Sequence, residues 1–137
     1  MNCNSKRGQF AVVEKIFEYK NHECICIFNR YGYRCGYVSV SKDFNEEMTI
    51  DCHGGITFCC SPLPYQYGQT QPYFIGFDCG HFGDGEDLEQ ARKYGLNAYN
   101  IGLSLFGEKN CVRSLEYVKN ECKKIVDQIE NKCYVGK

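Results

Sequence analysis

The chain has 137 residues, 43% of them apolar and 24% charged, with 16 Lys and Arg against 17 Asp and Glu. Residues 1–137 are read as a single domain with a core of its own, and a near-zero charge with no basic half excludes an extended nucleic acid as partner. The opening MNCNSKRGQF has no apolar signal-peptide core and no uncharged run reaches membrane-spanning length, so a soluble, cytoplasmic protein without a membrane partner is expected.

Residues 10–19, FAVVEKIFEY, are rich in β-branched and aromatic side chains and predict a first strand, although Val13, Phe17 and Lys20 also keep helical spacing. Asn21-His22 breaks that run. Residues 24–28 (CICIF) predict a second strand, the Arg30-to-Arg34 stretch (RYGYR) a turn, and residues 35–40 a third strand. Short apolar runs with turn chemistry between them predict an antiparallel meander. Residues 42–49 are polar and acidic and predict a connection. His53-Gly54-Gly55 leads into a fourth strand at residues 56–59. Residues 61–72 carry all three prolines and predict a long loop of the kind that is often functional. Residues 73–77 (YFIGF) predict a fifth strand that runs into FDCGHFGDGED at residues 77–87.

Asp87, with Gln90 three residues on, has the form of a capping box for a short helix ending near Gly95, and Asp84, Glu86 and Asp87 would complement its N-terminal dipole. Residues 97–110 are ambiguous. Residues 111–131 show the strongest helical pattern: Val112, Leu115, Val118, Cys122, Ile125, Val126 and Ile129 recur at steps of three and four. Cys111, Cys122 and Cys133 stand eleven apart, roughly 20° from one another on a helix, which predicts one buried stripe. The predicted fold is α+β: an antiparallel sheet of about five strands, a long C-terminal helix packed on one face, and one short helix.

Eleven cysteines with no secretion signal point to reduced thiols, not a disulfide framework. The close pairs are Cys24-x-Cys26 and the adjacent Cys59-Cys60; with no C-x-x-C, a zinc finger or ribbon is disfavoured and neither metal nor cofactor is expected. A calcium loop fails because Gly80 and Phe82 stand where oxygen ligands are needed.

Candidate chemistry concentrates at the two ends of the fourth and fifth strands. His53, Asp78, Cys79, His81 and Asp84 would meet at one sheet edge if those strands are neighbours running in comparable directions. His53, His81 and Asp78 are the candidates for acid–base work, and two histidines with a carboxylate also form a known ligand set for a catalytic metal. A Cys79–His81 nucleophile pair has little support, since a buried structural thiol is commoner. Gly54, Gly55 and the glycines around His81 could turn backbone N–H groups toward an anion, against the commoner use of such glycines for positive φ in tight turns. Arg30, Tyr31, Tyr33, Arg34, Tyr65, Tyr67, Phe82 and Arg113 form a basic and aromatic set; singly each reads as surface charge or core ring, together they suit a nucleotide. Neither a phosphate-binding GxxxxGK[ST] loop nor a dinucleotide-binding GxGxxG is present.

The stretches HGGITF at residues 53–58, GFDCGH at 76–81 with Gly83-Asp84, RSLEYV at 113–118 with Glu121-Cys122, and RCGYV at 34–38 resemble a family of small proteins encoded in phage and prophage genomes. The resemblance implies a phage-type accessory protein acting in a bacterial host cell. With that class goes the expectation of a counter-defence protein that binds and sequesters a small nucleotide-derived immune signal, of cyclic nucleotide or ADP-ribose type, as a homo-oligomer. His53, Gly54, Gly55, Asp78, His81, Phe82, Asp84, Arg34 and Arg113 are the expected ligand-binding residues. The alternatives are a hydrolase of such a signal, working through His53 and His81 with or without a metal, and an inhibitor that docks on a host enzyme.

Overall fold

A computed structural model describes residues 11–96 and 111–135, with side chains through residue 131. Among these residues five antiparallel strands form one sheet in the order β1-β2-β3-β5-β4, from β1 (Ala11–Tyr19), β2 (His22–Asn29), β3 (Arg34–Ser39), β4 (Phe58–Ser61) and β5 (Phe74–Asp78). A short helix, α1 (Leu88–Lys93), and a long one, α2 (Leu115–Val135), complete an α+β fold. A second, two-stranded ladder pairs β6 (Asp84–Gly85) with β7 (Cys111–Val112) in parallel.

The β1–β2 hairpin turns on Lys20 and Asn21, both at positive φ (50° and 68°). That conformation matches a two-residue turn whose twist suits the flanking strands. His22 therefore begins β2, where Asn21-His22 had been expected to break the chain.

Period-two alternation sorts the sheet's side chains onto two faces. Cys24, Cys26, Val38, Ile75 and Phe77 face α2, against Val118, Cys122, Ile125, Val126 and Ile129. Each of these helix side chains is at most 6% exposed, and full burial of such groups stabilises by roughly 1.5–3 kcal/mol apiece. Phe28, on the same face, packs with Ala91 and Leu96 beside α1. The opposite face, with Ile25, Ile27 and Phe74, is covered by the proline-bearing loop through Leu63 and Tyr67. Glu23 fastens that loop by accepting from the Thr70 and Gln71 amides at 2.8 and 2.9 Å. The long loop is thus a wall of the core.

Where α2 crosses β3 the sheet presents Gly36. A Cβ there would stand 2.5 Å from the Phe77 ring and 2.9 Å from Cys122 Sγ, and neither can retreat from a packed interior. Gly36→Ala is expected to cost about 1–3 kcal/mol, read as a lower urea midpoint with an unchanged m-value.

Two further boundaries differ from expectation. β4 begins at Phe58, two residues late, because the Gly54-Gly55 turn extends to Gly55, whose N–H donates to Cys52 O at 2.9 Å. The long helix begins at Leu115, not Cys111, because Ser114 Oγ accepts from the Tyr117 N–H and ends the helix there. Cys111 and Val112 belong instead to β7 and are exposed, so the cysteine stripe fails at its first member. Cys122 is fully buried, and the Cys133 side chain and residues 97–110 lie outside the described portion. Asp87 does cap α1, its side chain accepting from the Gln90 N–H, whereas Asp84 has a different use. No helix among the described residues is long and apolar enough to cross a membrane.

Candidate functional site

The start of β4 and the end of β5 meet at one sheet edge because the strands are antiparallel neighbours; the comparable direction supposed from the sequence would have separated them. This brings His53, just before β4, against the 78–84 loop that follows β5. The centre of the cluster is Asp84, whose side chain is 3% exposed. Its Oδ2 accepts from His53 Nε2 at 2.8 Å and from the His81 amide at 3.0 Å, and its Oδ1 accepts from Arg113 Nε at 3.0 Å. Burial works to raise the Asp84 pKa, but the hydrogen bonds from His53, Arg113 and the His81 amide outweigh it and hold the carboxyl below its ordinary value. Asp84 therefore serves as a charged hub, not as complement to the α1 dipole.

His53 is fixed on both sides of its ring. With Asp84 ionised, Nε2 carries the proton, and Nδ1 accepts from the Tyr117 hydroxyl at 2.9 Å. Burial, followed by the charge of Glu121, raises the Tyr117 pKa and keeps that hydroxyl protonated. The His53 amide donates to Glu121 Oε1 at 2.8 Å. Tyr117 and Glu121 fall within the stretches RSLEYV and Glu121-Cys122 but were not among the expected site residues. Part of their signal was present: Tyr117 and Glu121 stand four residues apart and so share one face of α2.

His81 lies with its ring centre 5.9 Å from that of His53. Its Nε2 is buried and makes no hydrogen bond, although Asp78 Oδ1 stands 3.2 Å away, because the approach is off the hydrogen-bonding direction. Asp78 instead accepts from the Gly80 amide at 3.0 Å and from Thr57 Oγ1 at 3.2 Å. Gly54, at φ +69°, fits here only as glycine, since a Cβ would come within 2.2 Å of His81 Nε2. The Gly55, Gly80 and His81 amides all donate within the protein, so these glycines shape the turns that bring the two histidines together.

The basic and aromatic set divides. Arg113 is anchored through Nε, lies 5.1 Å over the Tyr117 ring, and leaves its outer nitrogens without a hydrogen bond among the described residues; its side chain is 28% exposed. Phe82, next to His81, is 87% exposed. Tyr33 packs against Gly80, with Tyr31 stacked on it at 6.4 Å. Arg34 sits behind the site. Its guanidinium is buried and takes Glu14 through Nε at 2.6 Å and Nη2 at 3.2 Å, and its Nη1 donates to the Arg113 carbonyl at 3.0 Å. Tyr67 lies on the other sheet face, in edge contact with Tyr65. Cys79 is fully buried and its thiol pKa is pushed far up by burial and by the Asp84 charge, which suits a structural thiol and not a nucleophile.

No protein-family model matches the chain, and no curated protein or solved structure does so.

Proposed function

We propose that the chain is a phage-type accessory protein that binds and sequesters a small nucleotide-derived signal, of cyclic nucleotide or ADP-ribose type, inside a bacterial host cell. The observation that carries this reading is Arg113: a guanidinium anchored at one nitrogen by Asp84, 5.1 Å from the Tyr117 ring centre, partly exposed, and with no further hydrogen bond among the described residues. Such a fork is pre-organised for a phosphate, because little rotamer freedom remains to be lost on binding. Phe82, two residues before Asp84 and 87% exposed, suits the face of a base. Arg34 would act from behind, holding the Arg113 carbonyl in place. The resemblance to phage-encoded proteins and a net charge of −1 favour a small ligand over extended nucleic acid.

A second reading, hydrolysis of the same kind of signal, draws support from the hydrogen-bonded chain Tyr117–His53–Asp84. Because both ring nitrogens of His53 are engaged, the group offered to a substrate would be the Tyr117 hydroxyl, with His53 and Asp84 positioning it. The third reading, docking on a host enzyme, requires no small-molecule site.

One assay separates the three. Reduced protein is incubated with a panel of cyclic dinucleotides and cyclic ADP-ribose isomers, heated, and the released compounds are identified by chromatography. Sequestration predicts intact ligand after heating; converted ligand establishes the hydrolase, and depletion of no compound leaves the docking reading. Arg113→Gln is expected to weaken retention by about 10- to 100-fold, the equivalent of one charge-assisted hydrogen bond. Unchanged retention in that variant would remove Arg113 from the site.

A further inference from the structure

We propose that Glu46, Cys59 and Cys60 form a binding site for a thiophilic divalent cation of the zinc class, separate from the His53–Asp84 cluster. The two thiol sulfurs and a Glu46 carboxylate oxygen all lie within 4.8 Å of one another. Ligands around a tetrahedral zinc stand about 3.8 Å apart when both are sulfur, from Zn–S bonds of about 2.3 Å, so only small side-chain movement is needed.

The backbone is what makes this grouping unusual. Consecutive residues of a regular strand point to opposite faces, so adjacent cysteines should be divided by the sheet. Here the β4–β5 register shifts between Phe58 and Ser61, and Cys60 takes φ +51°, a left-handed conformation that a side chain with a Cβ adopts at a cost of roughly 1–2 kcal/mol. Both half-buried thiols consequently pack against the same core cluster, alongside Phe44 and Met48. The connection preceding β4 closes over them, with Cys60 Sγ 3.8 Å from the Phe44 carbonyl, and brings in exposed Glu46 from the solvent side. β4 is the edge strand of the sheet, so an ion reaches the site without opening the core.

The donor set selects the cation. Two thiolates favour zinc-class ions over magnesium or calcium, which take oxygen ligands. Three protein ligands leave a fourth position for water or another donor. Binding exchanges the two thiol protons for the cation, leaving a site with three negative charges around a double positive one. The absence of any C-x-x-C spacing does not bear on this geometry, since the strand irregularity supplies what the two intervening residues of that motif supply elsewhere.

The test is a Co²⁺ titration of the full chain, purified free of metal and kept reduced with a phosphine. One equivalent is expected to produce thiolate-to-cobalt charge-transfer absorption in the near ultraviolet, and Zn²⁺ to abolish it. Cys59→Ser and Cys60→Ser should each remove the band, while Cys111→Ser, at an exposed cysteine outside the group, should retain it. Glu46→Gln changes an exposed loop residue and keeps the fold; it is expected to weaken Co²⁺ at least 10-fold, as loss of even an outer-sphere partner commonly does. No band at one equivalent, a band surviving both serine variants, or unchanged affinity in Glu46→Gln would each overturn the site.

Discussion

Glu14→Ala is expected to lower stability by about 3–5 kcal/mol, the loss that follows when one partner of a buried ion pair is removed. The Glu14 and Arg34 side chains are 4% and 7% exposed, so the guanidinium left behind could not turn to water. It would keep the Arg113 carbonyl, the Phe28 ring at 4.9 Å and one carboxylate, Asp87, whose single contact at 3.6 Å is longer and more exposed than the two-point pairing lost with Glu14 and offsets only part of it. Tyr94 would lose its acceptor as well: its hydroxyl donates to Glu14 at 2.5 Å, and burial, then Glu14, raises its pKa to about 12. Against a total stability of roughly 5–15 kcal/mol this is a large fraction. Denaturant unfolding monitored by tyrosine fluorescence and circular dichroism measures it. The double variant Glu14→Leu/Arg34→Met should recover most of the loss, because well-packed apolar groups commonly replace a buried pair without penalty. A cost below about 1 kcal/mol for Glu14→Ala, the scale of an exposed pair, would show that the pair is solvated.

That pair marks where the sequence stops being informative. Strand alternation and the spacing of Val118, Cys122, Ile125, Val126 and Ile129 suffice for an α+β sheet with its helix, because both periods are local. Glu14, by contrast, enters the interior through a register shift between Val13 and Lys15 opposite β2. A bulge has no composition of its own, so a glutamate flanked by Val13 and Lys15 reads as an ordinary exposed charge. The same limit hid Cys59 and Cys60, whose adjacency implies opposite faces until the strand is seen to slip. His53, His81 and Asp84 were legible as a group because glycine turns at two strand ends drew attention to one edge. The wrong strand direction was assigned to them, however, since direction depends on β5 inserting between β3 and β4. The helix start was misplaced for a simpler reason: Val112 fits the apolar period, and only the Ser114 hydrogen bond distinguishes a cap from an interior residue.

Asp84 should show the other large effect, with a dependence on pH that identifies its cause. Asp84→Ala strips the acceptor from His53 Nε2, the His81 amide and Arg113 Nε together. Each unsatisfied buried group costs about 1–3 kcal/mol, and Arg113, being partly exposed, recovers some of its share from water, so a loss of about 2–4 kcal/mol is expected. The hydrogen bonds hold the folded carboxyl below its ordinary value. The contribution of its charge is therefore complete above the unfolded pKa, near 3.9, and is lost as pH falls through the folded value. The difference in unfolding free energy between the parent and Asp84→Asn should be full at pH 5 and clearly smaller at pH 3. Equal differences at the two pH values would mean that shape and not charge is what Asp84 supplies. Ligand retention gives an independent readout: once Asp84 no longer anchors Arg113 Nε, the guanidinium regains its rotamers. Asp84→Asn should then weaken binding even at pH values where the variant remains fully folded, linking the hub carboxylate to the open fork of Arg113.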